Sequence, residues 1–172
     1  LLLLLLGKGM RHEFSDLDYF NQAGERITSA QGARRLPEFA LQDQLGRAVD
    51  RSALEGTFWL VAFMTTDTST SPQLAAFTQQ LLWANWRYRD EPDVGLLCFT
   101  LDAEHDTPKK LQEYVQRNER YNRYPDKWRF LTGDQADIDH IIDEGLGIPR
   151  DTADPFNVAT LLLVDDKGFV RQ

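Results

Sequence analysis

Cysteine is almost absent from this 172-residue chain, because Cys98 is the only one. With a single cysteine, the 172 residues cannot form an internal disulfide, a thiol-pair redox centre or a multi-cysteine metal site. Basic residues are also scarce, since 19 Lys and Arg stand against 27 Asp and Glu, giving a net charge of −8. No basic run is interleaved with aromatic residues, and an acidic surface repels phosphate, so nucleic acid is not an expected partner.

Long hydrophobic runs are missing as well, since no stretch reaches the roughly 20 apolar residues that span a bilayer. Residues 1–6 are all leucine. We interpret residues 1–9 as the end of a transmembrane anchor whose earlier part is missing, with Lys8 and Arg11 at the lipid boundary. The alternative is that these leucines do not belong to the natural protein.

The chain as a whole has the composition of one globular domain, with 42% hydrophobic and 27% charged residues. Residues 10–35 are polar, contain scattered glycine and show little periodicity, which predicts a linker. The domain is therefore expected to occupy residues 36–172.

Apolar patterning in residues 36–172 predicts an α/β domain. Residues 36–49 (LPEFALQDQLGRAV) resemble a hairpin closed at Gly46, and residues 58–64 (FWLVAFM) and 94–101 (VGLLCFTL) are typical of buried strands. Helices are predicted after the capping residues Ser71, Thr107 and Asp134. A short strand at residues 128–131 and a terminal hairpin from residue 160 complete the series. This order indicates a thioredoxin-like sandwich with a mixed central sheet and a β-hairpin at each end.

Ligands of open α/β sheets gather beyond the carboxyl ends of the parallel strands. That position is occupied here by residues 65–71, which are all Thr, Ser or Asp. These side chains can cap a helix and bond their own backbone, but they supply no strong nucleophile and no soft metal ligand. A helix-capping loop is the favoured interpretation; a loose site for a hard cation around Asp67 is the alternative.

The remaining candidate residues have structural interpretations. Cys98 lies in the middle of a predicted buried strand, where a thiol has a raised pKa and is not peroxidatic. His105 is expected to be hydrogen-bonded or exposed, and His140 to lie on the polar side of the third helix.

An aromatic cluster ends the predicted first helix. Trp83, Trp86 and Tyr88 cannot all point inward at a period of 3.6 residues. An exposed cluster would form an interaction surface, and packing within the domain is the alternative.

Four segments resemble the Sco/SenC family of copper metallochaperones: residues 36–43 (LPEFALQD), 54–56 (LEG), 102–108 (DAEHDTP) and 128–133 (WRFLTG). The resemblance covers about residues 36–172. It implies a thioredoxin-like domain, held by one N-terminal transmembrane helix, that faces the periplasm or the mitochondrial intermembrane space. It also implies a link to copper delivery to cytochrome c oxidase.

Members of this family bind copper through a Cys-Pro-x-x-Cys-Pro loop and a distant histidine. Alignment on Pro72 places Asp67 and Ser71 at the two cysteines, and Asn157 falls at the histidine. The resemblance therefore implies a degenerate copper site, without tight Cu(I) binding, disulfide exchange or catalysis, and no cofactor is expected.

The expected function is that of a membrane-anchored accessory or scaffold subunit of a respiratory complex linked to cytochrome oxidase. The first alternative is a working copper-delivery or redox assembly factor that uses ligands elsewhere. A second is an independent soluble binding domain.

Overall fold

Within the residues that the structure describes, the central sheet has six strands in the order β4-β3-β7-β6-β5-β8. The computed structural model describes residues 16–67, 69, 81, 90–117, 126–148, 158 and 160–171. Of the predicted helix after Ser71 only Leu81 falls in these ranges, where it is helical and buried; the leucines at residues 1–6 lie outside them. The sheet strands are β3 (Ala40–Asp43), β4 (Ala48–Asp50), β5 (Phe58–Met64), β6 (Val94–Thr100), β7 (Trp128–Thr132) and β8 (Leu162–Val164).

The sheet is mixed, as the sequence predicts. Strands β5, β6 and β7 are parallel neighbours, whereas β3 and β8 run antiparallel to the strands beside them. Every residue of β5 and β6 is buried, which is why both read as continuous apolar runs rather than alternating ones. The predicted α/β sandwich is confirmed.

Helices cover the sheet where the capping signals predict them. Helix α1 (Pro108–Gln116) begins after Thr107, whose side chain accepts a hydrogen bond from the Lys110 amide. Helix α2 (Gln135–His140) begins after Asp134 and continues as a π-helical turn, Ile141–Gly145. A 3₁₀ helix, Arg51–Leu54, follows β4. The apolar stripe of the α2 region is fully buried: Ile138, Ile141, Ile142 and Leu146.

Three hairpin turns share one hydrogen-bonding pattern. An Asn or Asp begins each turn, and a glycine with positive φ follows three residues later: Asn21 and Gly24, Asp43 and Gly46, Asp165 and Gly168. In each turn the first side chain accepts two backbone amides, such as those of Leu45 and Arg47 on Asp43 at 2.9 and 3.0 Å. Only glycine adopts this left-handed position without strain, so the spacing fixes the turn.

Residues 16–35, which the sequence analysis assigned to a linker, have defined structure. They contain β1 (Tyr19–Phe20) and β2 (Arg26–Ile27), which pair antiparallel around the Asn21 turn. Two-residue strands are too short to produce a hydrophobic period, and this explains why the sequence pattern resembles a linker. The strand predicted at residues 36–43 is shorter in the structure and begins at Ala40. The Leu36 amide donates its hydrogen bond to the carbonyl of Gly168 at 2.9 Å and not to a neighbouring strand of the central sheet.

Candidate functional site

The candidate site lies where the parallel strands β5 and β6 end. The register pairs Met64 with Thr100, so the two strands stop at the same level. Thr65, Thr66 and Asp67 follow β5, and residues 101–107 follow β6. This is the edge at which open α/β sheets hold their ligands.

A buried carboxylate joins the two loops at this edge. Asp106 is only 1% exposed. Its oxygens accept hydrogen bonds from the Thr66 amide at 3.1 and 3.3 Å, from the Thr66 hydroxyl and from the Thr100 hydroxyl. Because Asp106 immediately precedes the cap of α1, one side chain fixes the end of β5, the end of β6 and the start of the helix.

This role of Asp106 is not apparent from the sequence pattern. The signal was present in the Asp-x-x-x-Asp-Thr-Pro segment that carries the family resemblance. Periodicity cannot reveal such a role, because the hydrogen-bond donors come from residues 40 and 6 positions away in sequence.

Asp67 forms a closed turn within its own loop. Its Oδ1 accepts the Ser69 amide at 2.9 Å and the Ser69 hydroxyl at 2.6 Å. The Ser69 hydroxyl is the main reason that the pKa of Asp67 lies below its usual value, and the positive charges of His105 and Lys110 contribute. The geometry is that of an Asx turn.

The other two positions aligned with copper ligands, Ser71 and Asn157, lie outside the described residues. The same holds for the predicted aromatic surface of Trp83, Trp86 and Tyr88. Their placement relative to Asp67 therefore stays a prediction.

His105 is an exposed, oriented imidazole near the loop. Its Nδ1 lies 2.8 Å from Oδ1 of Asp102, and its side chain is 69% exposed. The hydrogen bond to Asp102 is the main cause that raises the pKa of His105 above its ordinary value. His105 is thus an exposed residue hydrogen-bonded to a carboxylate, as expected from the sequence.

Cys98 lies inside the domain and not at the candidate site. It is 1% exposed, and it pairs with Ala62 across the parallel ladder. Burial raises the pKa of its thiol strongly, so the thiol stays protonated and unreactive in the folded state.

Among the residues that the structure describes, no group of three or more His, Cys, Asp or Glu side chains is arranged to hold a metal ion. Within the same residues, no helix has the length and apolar character to cross a bilayer.

A mixed sheet with a polar loop beyond β5 and a buried aspartate behind it defines a thioredoxin-like domain. The model of the SCO1/SenC family matches residues 27–159. The chain belongs to the SCO1/SenC family.

Individual relatives agree with this assignment. The SCO1 protein homolog of Bacillus subtilis is 34% identical over 109 residues, which are 59% of this chain and 51% of that protein. The chain thus spans about half the length of the curated relatives that it matches. Two solved structures share its fold. BsSco, described as a member of the Sco family of cytochrome c oxidase assembly proteins, is 26% identical, with a TM-score of 0.64 and coverage of 81% of both chains. A SCO1/SenC family lipoprotein from Bacillus anthracis is 21% identical, with a TM-score of 0.67 and coverage of 81% of this chain and 83% of that one.

Asp106→Asn is expected to lower the free energy of unfolding by about 1–3 kcal/mol, because the amide group replaces one acceptor oxygen with a donor that faces other donors. Chemical denaturation measures the change. Glu104→Gln is the matched control, since Glu104 is exposed on the same loop and its substitution should change stability by less than about 0.5 kcal/mol. Equal effects of the two substitutions would contradict the role assigned to Asp106.

Asp102→Asn is expected to lower the pKa of His105, because it removes the carboxylate that stabilises the imidazolium. A pH titration of the His105 ring protons by NMR measures the shift. Since the folded-state pKa is raised, the pair stabilises the protein below the unfolded pKa of about 6.5, and this contribution is lost as pH rises through the folded value. The stability difference between the wild type and Asp102→Asn should therefore be larger at acidic pH than at alkaline pH. A pKa of His105 that does not fall in Asp102→Asn would contradict the role assigned to Asp102.

Proposed function

We propose that this chain is a copper-site-deficient member of the SCO1/SenC family. It acts without catalysis, as a membrane-anchored accessory or scaffold subunit of a respiratory complex linked to cytochrome oxidase. The observation that carries the proposal is the loop after β5. The carboxylate of Asp67 accepts hydrogen bonds there from Ser69 of its own loop, and the family resemblance implies a cysteine at this position.

The chemistry of the available donors supports the loss of copper binding. Cu(I) is a soft ion that prefers thiolate and imidazole ligands. Asp67, Ser71 and Asn157 offer a carboxylate, a hydroxyl and an amide, which are hard and weak donors for this ion. Cys98 cannot substitute, because its thiol is buried in the middle of β6.

The retained framework supports a binding role. Asp106 joins the ends of β5 and β6, so the backbone where the loop begins is held by hydrogen bonds that need no metal. A surface with a fixed shape can dock on a partner without transferring metal. Trp83, Trp86 and Tyr88 form the second candidate contact surface of the proposal.

The proposed location is the membrane surface, with the domain on the periplasmic side or in the mitochondrial intermembrane space. The leucines of residues 1–6 support an anchor. The Bacillus anthracis relative is described as a lipoprotein, and BsSco as a member of a family of cytochrome c oxidase assembly proteins. The proposed partners are therefore the membrane, through the N-terminal anchor, and subunits of the oxidase or an associated complex.

The alternative function is copper delivery or redox assembly with ligands that these residues do not supply. One observation favours it: the chain spans about half of its curated relatives. In this alternative, a cysteine- or histidine-bearing extension of residues 1–172 would provide the ligands.

The triple substitution Asp67→Cys, Ser71→Cys and Asn157→His is expected to create tight Cu(I) binding, because it restores two thiolates and an imidazole to the framework. Competition with a chromogenic Cu(I) chelator measures affinity and stoichiometry. The matched control is Asp67→Ser, Ser71→Cys and Asn157→His, which differs by one thiol and should bind far more weakly. A folded triple variant that binds no better than this control would show that the alignment of the three positions is wrong.

The proposed subunit role is tested in native membranes. Complexes are solubilised in mild detergent, separated intact and analysed by mass spectrometry. The expected result is that the chain migrates with oxidase subunits at a fixed ratio. Migration alone, or association only while the oxidase is being assembled, would contradict the subunit role and favour the assembly factor.

A further inference from the structure

The N-terminal strap, residues 17–36, extends the sheet beyond its edge strand β8. Val170 returns antiparallel beside Val164, and Arg35 lies antiparallel beside Phe169. Backbone hydrogen bonds connect these segments: the Val170 amide donates to the Arg34 carbonyl at 3.0 Å, and the Arg34 amide donates to the Phe20 carbonyl at 2.7 Å. The strap therefore occupies hydrogen-bonding positions that an edge strand would otherwise present to solvent.

A buried arginine fastens the start of the strap. The side chain of Arg171 is 4% exposed, and it pairs at 2.9 Å with Asp165, which is 3% exposed. The guanidinium lies 3.8 Å from the ring centre of Tyr19 and donates to the carbonyl of Leu17. The strap thus covers a buried charge pair, which would gain access to water if the strap left.

Arg34 and Tyr19 fasten the rest of the strap. Arg34 donates to the carbonyl of Leu146 at 2.8 Å, beyond the π-helical turn, and to that of Gln22 at 3.1 Å. Tyr19 packs edge-to-face on Phe169 at 5.7 Å. The contacts involve both ends of the strap, so it is bound to the domain along its length.

The strap also determines where the chain enters the domain. Strand β8 runs antiparallel to β5, with Val164 opposite Trp59, and the Asp166 carbonyl accepts the Gly56 amide. The turn after β8 therefore lies at the edge where β5 begins. Tyr19 contacts Phe169 next to this turn, whereas the candidate site lies at the opposite edge, one strand length of roughly 20 Å away.

We propose that the strap determines the orientation of the domain relative to the membrane. The β8 turn faces the membrane, and the candidate loop faces away from it. This inference rests on the proposed membrane anchor at residues 1–9. If residues 10–35 were a free tether, they could extend to about 90 Å, but with the strap bound only residues 10–16 remain, and they reach about 25 Å. The loop then lies on average farther from the bilayer than the β8 turn, where a subunit with a domain outside the membrane can reach it.

The test uses energy transfer from a fluorophore on the full-length protein to a headgroup-labelled lipid in phosphatidylcholine vesicles. Cys98 is buried, so an introduced cysteine takes the label selectively in the folded protein. Glu104→Cys reports on the loop edge, and Lys167→Cys reports on the turn at the opposite edge. We expect stronger transfer from position 167 than from position 104. Equal transfer from both positions would overturn the proposal.

Two further variants show whether the strap is responsible. An insertion of about 20 Gly and Ser residues after residue 12 lengthens the tether and leaves every strap contact in place. The pair Arg34→Gln and Tyr19→Ser weakens the strap itself, and circular dichroism checks that the domain stays folded. Both variants should reduce the difference between positions 104 and 167. A difference that persists with the insertion would overturn the proposal, even if the weakened strap prevented folding.

Failure of the anchor can be told apart from failure of the strap. A chain that does not sediment with the vesicles would contradict the anchor in the proposed function. Hydrogen exchange then decides whether the strap is bound, because the amides of Arg34 and Val170 should be protected in the unaltered protein and exchange faster in the Arg34→Gln and Tyr19→Ser variant. Rapid exchange of both amides in the unaltered protein would show that the strap is not bound and would overturn the inference.

Discussion

The parallel pairing of β5 with β6 is the constraint on which the rest of the domain depends. Seven residue pairs in register bring Met64 and Thr100 to one level. Only with this register do Thr66 and Thr100 come close enough for one carboxylate, that of Asp106, to accept hydrogen bonds from both. A slip of one residue would turn each buried side chain of a strand to the other face and separate the loops. The apolar runs that bury the two strands thus also determine the geometry of the candidate site.

The parts of the fold that depend on burial or on neighbouring residues are the parts that the sequence predicts. Strand β5 matches its apolar run at every residue, and β6 is one residue shorter than its run, because burial on both faces leaves a continuous signal. Thr107 and Asp134 mark the starts of α1 and α2, because capping depends only on neighbouring residues. The strap was not recognised, since its stability comes from partners more than 100 residues away, such as Leu146 for Arg34.

The residues of the candidate site also differ in how far their roles can be predicted from the sequence. The buried thiol of Cys98 and the hydrogen-bonded His105 were predictable from their immediate sequence, and both predictions are confirmed. The role of Asp106 was not predictable, although its motif was visible, because a carboxylate next to a cap residue resembles any solvent-exposed helix start. Hydrogen bonds over long sequence separations leave no period to detect.

The described part of the loop after β5 takes its shape from hydrogen bonds within the chain. In the described part of the loop, the backbone is supported by groups that need no metal: the Asp106 carboxylate binds the Thr66 amide, and the Asp67 carboxylate binds the Ser69 amide. A loop whose shape came from metal coordination would lose that shape together with its ligands. Here the chain supplies its own hydrogen-bond acceptors, and the Asp106 bonds to Thr66 and Thr100 that join the ends of β5 and β6 do not involve the Asp67 side chain. The Asp106 bonds are therefore separable from the side chain at residue 67, and in the proposed scaffold subunit the backbone that they hold is the part that a partner would recognise.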